Sequence, residues 1–211
     1  DLDDLKQFRQ LGSKTPGHPE RGLTPGIEAT TGPLGQGVGN AVGMAVAEKI
    51  LSTKFGSDII NHYTYVLHGD GDIQEPVAQG SIASAGHWGL NKLIAFYDSN
   101  EAQISGKVSR SDSTDYAKMY ESHGWHVQVI DGHDHDEIRS SIRIAQMEIE
   151  KPSVIIGKTI MANGCSSVEG DHNTHGAPLS PEEIMSTKKK LGLDSDKFFQ
   201  ISDDILEEFR S

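Results

Sequence analysis

Two polar residues that follow apolar segments are the strongest candidates for chemistry in this sequence. Asp70 lies in Gly69-Asp70-Gly71, directly after the apolar run 63–67, and Asn100 ends the run 93–100. If both runs are buried parallel strands, both side chains stand at the carboxyl edge of one sheet, where open parallel sheets bind ligands. Carboxylate and amide oxygens are hard ligands that suit Mg²⁺ or Ca²⁺ better than Zn²⁺. A cation held by so few protein groups keeps positions open for phosphate oxygens, so the pair predicts a site for a metal-bridged diphosphate.

The residues beside this pair favour the same kind of site. Gly71 has no Cβ, so a phosphate can approach the backbone there. The turn 101–104 after Asn100 would present a backbone carbonyl as a third metal contact. A Gly-Asp-Gly tripeptide alone is about as often an ordinary tight turn, so the interpretation depends on Asn100 lying at the same edge.

The segments around these residues alternate between strand and helix patterns. Strands are predicted near 62–68, 92–98, 126–130 and 153–158, and helices near 2–11, 33–53, 77–88, 114–123 and 135–150. Short, apolar, β-branched strands separated by amphipathic helices are typical of an α/β fold, with a parallel sheet and helices on both faces. The segment 12–32 is a loop rich in Gly and Pro, and 161–179 is a long loop without periodicity, which in a compact domain is usually functional or disordered.

Helix starts are marked by capping residues. Pro33 is predicted at the first position of its helix, where a missing N–H costs nothing. Asp134 with Glu137, and Ser180 with Glu183, have the spacing of capping boxes, in which each N-terminal side chain and the residue three positions later satisfy each other's backbone N–H groups.

Length and charge limit the classes of function. At 211 residues, the chain is long enough for one domain with a sizeable core. Its net charge of −12 argues against a nucleic-acid surface and an anionic membrane surface, and no apolar run has transmembrane length. The single cysteine, Cys165, excludes an internal disulfide and predicts a reducing, cytoplasmic compartment. Because the chain begins at Asp1 without Met, we expect it to be a segment of a longer protein.

Five motifs, taken in their order along the chain, give this sequence a specific resemblance to a known family. They are Thr15-Pro-Gly-His-Pro-Glu20, Thr30-Thr-Gly-Pro-Leu-Gly-Gln-Gly37, Gly69-Asp-Gly71, Tyr97-Asp-Ser-Asn100 and Asp171-His-Asn-Thr-His-Gly-Ala-Pro-Leu179. In this order they resemble transketolases over nearly the whole chain. The resemblance implies that residues 1–211 are a single diphosphate-binding domain with the thiamine diphosphate-binding fold, incomplete at its N-terminal side.

The resemblance also implies roles for individual residues. Asp70, Asn100 and the carbonyl of Ala102 would hold Mg²⁺ or Ca²⁺, and Gly71 and Asn100 would also contact the diphosphate of thiamine diphosphate. His18 and His172 would be catalytic residues of the active-site channel, with His172 reaching both diphosphate and substrate. The segment that would contact the cofactor rings is Gly32, Pro33 and Leu34.

The other histidines have ordinary interpretations. Structural roles are expected for His62, His68, His123 and His126, and a strand-to-helix turn for His133 and His135. His175 would pair with His172 on a metal only in a helical loop, which Gly176 and Pro178 disfavour.

Several positions depart from the family pattern. Pro76 follows Glu75, the carboxylate that in transketolases helps couple the two sites of the dimer, where Gly is usual. Ser99 stands where a second Asp is common, and Glu101-Ala102-Gln103 replaces a Gly-Ile-x sequence. Leu23 replaces a common His, to which the sequence assigns no role.

The resemblance implies a transferase of the pentose phosphate pathway that moves a two-carbon ketol unit between phosphorylated sugars. Its partners would be a second copy, with the site at the dimer interface, and a pyrimidine-binding domain supplied elsewhere. The segment alone is therefore expected to be inactive. Two alternatives stay open: another thiamine diphosphate enzyme, such as a dihydroxyacetone synthase or a deoxyxylulose phosphate synthase, and a non-catalytic module that retains the fold.

Overall fold

A computed structural model describes residues 2–104 and 106–210 and places a parallel sheet at the centre of the chain. Its strands are β1 (Thr64–Gly69), β2 (Leu93–Ser99), β3 (Ala102–Gln103), β4 (Gly106–Lys107), β5 (His126–Asp131) and β6 (Ser153–Lys158). The parallel sheet has the order β1-β2-β6-β5, and β3 and β4 form a separate antiparallel ribbon. Parallel neighbours bring the carboxyl ends of β1 and β2 together, since Gly69 pairs with Asp98.

Helices connect these strands. They are α1 (Leu2–Lys6), α2 (Gln36–Phe55), α3 (Asp70–Ile73), α4 (Pro76–His87), α5 (Tyr116–Ser122), α6 (His135–Met147), α7 (Pro181–Lys190) and α8 (Asp203–Glu208). Short 3₁₀ turns occur at Val108–Arg110 and His172–Thr174. None of the helices in the described part of the chain combines the length and the apolar character that crossing a membrane requires.

Alternating residues of β2 pack into two hydrophobic cores, one on each face of the sheet. Leu93, Ala95 and Tyr97 point into a larger core with α2, α4 and α5, whereas Ile94 and Phe96 pack with Ala145 of α6 on the other face. This period of two is what a strand buried on both faces requires. The predicted α/β fold, a parallel sheet with helices on both faces, is confirmed.

The helix ends differ from the sequence expectation at several places. The first helix stops at Lys6 rather than residue 11, and α6 ends at Met147 because the backbone of Glu148 is extended. The prediction that Pro33 opens its helix is wrong, because α2 begins at Gln36. Gly32 and Gly35 adopt positive φ angles of 137° and 76°, and these values exclude a right-handed helix between them. Pro33 and Leu34 therefore lie in the loop before α2.

The capping predictions are half right. Asp134 accepts hydrogen bonds from the N–H groups of Asp136 and Glu137, as an N-cap does, but the Glu137 carboxylate accepts from Asp131 N instead of closing a box. Ser180 accepts from Glu183 N in the same way. The Glu183 carboxylate turns away from the cap and binds the long loop 161–179.

Candidate functional site

Asp70 and Asn100 meet at the carboxyl edge of the sheet. Asp70 is the first residue of α3, directly after β1, and Asn100 directly follows β2. The Asp70 carboxylate accepts hydrogen bonds from Asn100 N at 3.1 Å and from Glu101 N at 2.9 Å, both on Oδ2. The geometry that the strand pattern predicted for this pair is thus present in the structure.

The Asp70 carboxylate is almost completely buried. Only 4% of the residue is exposed, and its Oδ1 accepts a hydrogen bond from the Tyr97 hydroxyl at 2.5 Å. Burial raises the pKa of Asp70 above its ordinary value, although the hydrogen bonds from Tyr97, Asn100 and Glu101 oppose that shift. Burial and the bond to Asp70 also raise the pKa of Tyr97, so its hydroxyl stays protonated and is the donor. Because this carboxylate is so poorly hydrated, a bound cation would stabilise its charged form.

Asn100 and Ala102 supply further oxygens next to Asp70. Asn100 Oδ1 accepts from Ala102 N at 3.0 Å, and its Nδ2 lies 3.4 Å from a carboxylate oxygen of Asp98. Ala102 is buried at the start of the β3-β4 ribbon, and Glu101 makes the turn before it with φ of 60°. An amide oxygen has two lone pairs, so Asn100 retains one for a ligand.

The donor set fits a hard divalent cation. Over residues 2–104 and 106–210 there is no cluster of three or more His, Cys, Asp or Glu side chains that could hold a metal ion. A cation at this edge would therefore use one carboxylate together with amide and carbonyl oxygens, as Mg²⁺ and Ca²⁺ accept, and would keep room for phosphate oxygens.

Asp72 joins the start of α2 to this edge. One of its carboxylate oxygens accepts from Gly35 N and the other from Gly69 N, both at 2.9 Å. A Cβ on Gly35 would lie 2.7 Å from the Cβ of Glu75, so this close approach requires glycine. Because Gly35 is held there, Leu34 comes against Gly71, whose added Cβ would lie 3.1 Å from Leu34 Cδ1.

His18 lies against the same loop. A Cβ on Gly32 would be 3.1 Å from Cγ of His18, and Thr31 N donates to the carbonyl of Pro19 at 3.2 Å. The structure therefore brings together four of the predicted residues. His18 lies against Gly32, and Leu34 lies against Gly71, the neighbour of Asp70.

His172 approaches from the long loop. It opens the 3₁₀ turn His172–Thr174, which is capped by Asp171 and packs beside β4, the partner strand of the ribbon that carries Ala102. Its Nδ1 is buried and has no hydrogen-bond partner among the described residues, with the Asp171 carboxylate 3.8 Å away. Since buried ring nitrogens are normally paired, this atom is the kind of group a bound ligand would satisfy.

The other side chains that the sequence set apart have structural surroundings. His68 is buried and its Nε2 lies 2.9 Å from the Tyr120 hydroxyl, whereas His133 contacts Ile160 N and Asn163. Glu75 is the N-cap of α4, and Pro76 occupies the first helical position. The sequence forms this helix start at the place where Gly was expected to follow the Glu. Leu23 is partly exposed, and nothing in the structure assigns it a role.

Two residues of this region were missed by the sequence interpretation. Tyr97 was named only as the first residue of a motif and was given no role, and Asp72 was not considered. A polar-tipped aromatic residue three positions before Asn100, at the end of a buried strand, is the signal that would have identified Tyr97.

The comparisons with known proteins agree with one another. The model of one protein family, described as "Transketolase, thiamine diphosphate binding domain", matches residues 1–211. Similar curated proteins include Transketolase 2 of Vibrio parahaemolyticus, 51% identical over 201 residues, and Transketolase 1 of Vibrio cholerae, 51% identical over 195 residues. These matches cover 93% and 90% of this chain but only 30% and 29% of the relatives.

Solved structures are similar over the whole fold. Transketolase from Campylobacter jejuni matches with a TM-score of 0.95 and 44% identity, over 99% of this chain and 33% of that chain. Transketolase from Leishmania mexicana matches with a TM-score of 0.95 and 44% identity, over 100% of this chain and 32% of that chain. The chain thus spans about a third of the length of each of these structures.

Proposed function

This chain belongs to the transketolase family, whose thiamine diphosphate-binding domain it matches over residues 1–211, and from that premise we propose that it forms the cofactor site of a ketol-transferring enzyme. The proposed reaction moves a two-carbon ketol unit from a ketose phosphate to an aldose phosphate in the pentose phosphate pathway. The observation that carries the proposal is the meeting of Asp70 with Asn100 at the carboxyl edge of neighbouring parallel strands.

The metal-binding part of the proposal uses three oxygen groups. Asp70, Asn100 and the carbonyl of Ala102 would hold Mg²⁺ or Ca²⁺, and the cation would hold the diphosphate. Gly71 would contact the diphosphate, and its lack of a side chain lets Leu34 approach, since an added Cβ would lie 3.1 Å from Leu34 Cδ1. The loop residues Gly32, Pro33 and Leu34 would then contact the cofactor rings.

The chemical part of the proposal divides the work between cofactor and protein. Thiamine diphosphate, when bound, supplies the electron sink on which a two-carbon unit can be carried. His18 and His172 would bind sugar hydroxyls and transfer protons, which imidazoles do well near neutral pH. The unpaired Nδ1 of His172 supports this role, since it is free to bond to a diphosphate or sugar oxygen.

The proposal also names the partners that complete the site and the cellular location of the protein. A second copy of the protein would contribute to the site at a dimer interface, and a pyrimidine-binding domain outside this chain would complete it. A cytoplasmic location belongs to the same proposal and is supported by the single cysteine, which is a free thiol.

Calorimetric titration of thiamine diphosphate with Mg²⁺ or Ca²⁺ tests the site in the full-length protein that carries this domain. We expect metal-dependent binding in the wild type and a loss of at least about 100-fold in metal affinity in Asp70→Asn, because the only negatively charged group proposed to hold the metal becomes neutral. Asp136→Asn is the matched control, since Asp136 is exposed on α6, where its carboxylate binds Arg139 and lies outside the candidate site. A folded, dimeric wild type that binds no cofactor would contradict the proposal and favour a non-catalytic module.

A further inference from the structure

Tyr97 holds the same carboxylate oxygen that the proposed cation site needs. It lies on β2, is 3% exposed, and its hydroxyl donates to Asp70 Oδ1 at 2.5 Å. The other oxygen, Oδ2, already accepts two backbone N–H groups, from Asn100 and Glu101. An ionised carboxylate has about four lone-pair positions. The position left for a cation is therefore on Oδ1, beside the hydrogen bond from Tyr97.

The ring of Tyr97 is fixed on two sides. His68 stacks on it with ring centroids 5.0 Å apart and an interplanar angle of 16°, and Tyr116 meets it edge-on at 5.8 Å. His68 is itself held by a 2.9 Å hydrogen bond between its Nε2 and the Tyr120 hydroxyl. Since close-packed rings do not change rotamer freely, the Tyr97 hydroxyl stays at one place relative to the strand end.

We propose that Tyr97 is a positioning residue that directs Oδ1 of Asp70 toward the divalent cation. This inference rests on the proposed function, because it requires a cation at Asp70. Groups that orient a metal-binding side chain are typically worth about 10- to 100-fold in metal affinity. Tyr97→Phe keeps the ring and its packing but removes the hydroxyl, so we expect it to weaken metal binding by at least about tenfold.

Tyr63→Phe is the matched control. It removes one tyrosine hydroxyl on the opposite face of the sheet, where that hydroxyl donates to the carbonyl of Gln146 and belongs to neither Asp70 nor the rings that hold Tyr97. The dissociation constants for Mg²⁺ and Ca²⁺ are measured by calorimetry in the full-length protein with thiamine diphosphate present. Thermal melting of the metal-free variants measures the structural cost of each substitution. We expect both variants to lose stability and only Tyr97→Phe to lose metal affinity.

The outcomes separate this inference from the function on which it rests. Equal metal affinity in wild type and Tyr97→Phe would overturn the role of Tyr97 and leave the proposed function standing. Equal losses of affinity in the two variants would also overturn it, because they would indicate general damage to the core. A wild type that binds no metal would refute the proposed function and this inference together.

A measurement on the wild type covers the case in which Tyr97→Phe does not fold. With tyrosine labelled at its ζ carbon, the resonance of Tyr97 reports directly on the hydroxyl that touches Asp70. Adding Mg²⁺ and thiamine diphosphate should shift this resonance and leave that of Tyr63 in place. A Tyr97 resonance that does not move on binding would overturn the proposal.

Discussion

At the scale of the residue, the pattern of strands was sufficient to place Asp70 beside Asn100. Both follow apolar runs, and the carboxyl ends of neighbouring parallel strands meet at one edge. The same pattern did not distinguish Tyr97 from its neighbours, because a buried strand accepts an aromatic residue at any inward position. Only the register of β1 on β2 reveals that its hydroxyl reaches the carboxylate of Asp70.

His68 gives a residue-scale prediction about pH. Burial lowers the pKa of His68 from 6.5 to about 4, so the folded state excludes a proton that the unfolded chain binds. As a result, the free energy of unfolding does not depend on His68 above pH 6.5 and falls as the pH drops from 6.5 toward 4. Since each tenfold difference in proton affinity is worth about 1.4 kcal/mol, the loss at pH 4 should be about 3 kcal/mol.

Denaturant titrations of the metal-free protein between pH 7 and pH 4 measure this loss. The double variant His68→Phe/Tyr120→Phe removes the titrating ring together with its hydroxyl partner, so neither polar group is left unpaired. Its stability should depend less on pH over this range than that of the wild type. Parallel curves for the two proteins would mean that His68 is not the group that titrates.

At the scale of the element, the sequence predicted the central strands and the long helices but not the short pieces. The ribbon of β3 and β4 has two residues per strand, too few for any periodicity. The turn His172–Thr174 is set by the Asp171 cap within a loop that has no periodic pattern. Both short elements border the candidate site, so the part of the fold closest to the chemistry was the least predictable.

Glu183 of α7 gives the element-scale prediction. Its carboxylate accepts from Ser166 N at 2.7 Å, Ser167 N at 2.9 Å and the Ser167 hydroxyl at 2.6 Å. These hydrogen bonds hold the pKa of Glu183 below its ordinary value and tie the long loop to the helix. Glu183→Ala should speed hydrogen exchange at the Ser166 and Ser167 amides by at least about tenfold, because bonds to a charged acceptor are lost.

The neighbouring residue provides the control for this prediction. Glu182 is exposed and its carboxylate does not contact Ser166 or Ser167, so Glu182→Ala should leave their exchange rates unchanged. Exchange is followed by mass spectrometry on peptides that cover residues 162–170. If Glu183→Ala left exchange in this segment at the wild-type rate, the loop would be held by its other contacts.

At the scale of the whole molecule, the chain spans about a third of the length of its curated relatives. It covers 30% of Transketolase 2 of Vibrio parahaemolyticus at 51% identity, and it has a hydrophobic core of its own on each face of the sheet. Large apolar side chains are nonetheless exposed, among them Leu67 on β1 and Trp88 after α4, at 73% and 50%. Sequence patterns predict which residues a fold buries internally, but they do not reveal what covers such surfaces in an assembly.

The isolated domain should therefore be catalytically silent under the proposed function. Its described residues offer oxygen ligands for the cation and histidines for proton transfer, but the proposed site is completed by a pyrimidine-binding domain and a second subunit. We expect no ketol transfer from a ketose phosphate to an aldose phosphate by the 211-residue chain with Mg²⁺ and thiamine diphosphate, and transfer by the full-length protein. Turnover by the isolated chain that Asp70→Asn abolishes would show that this domain needs no other part of the protein. It would refute the division of the site between domains while supporting the metal site itself.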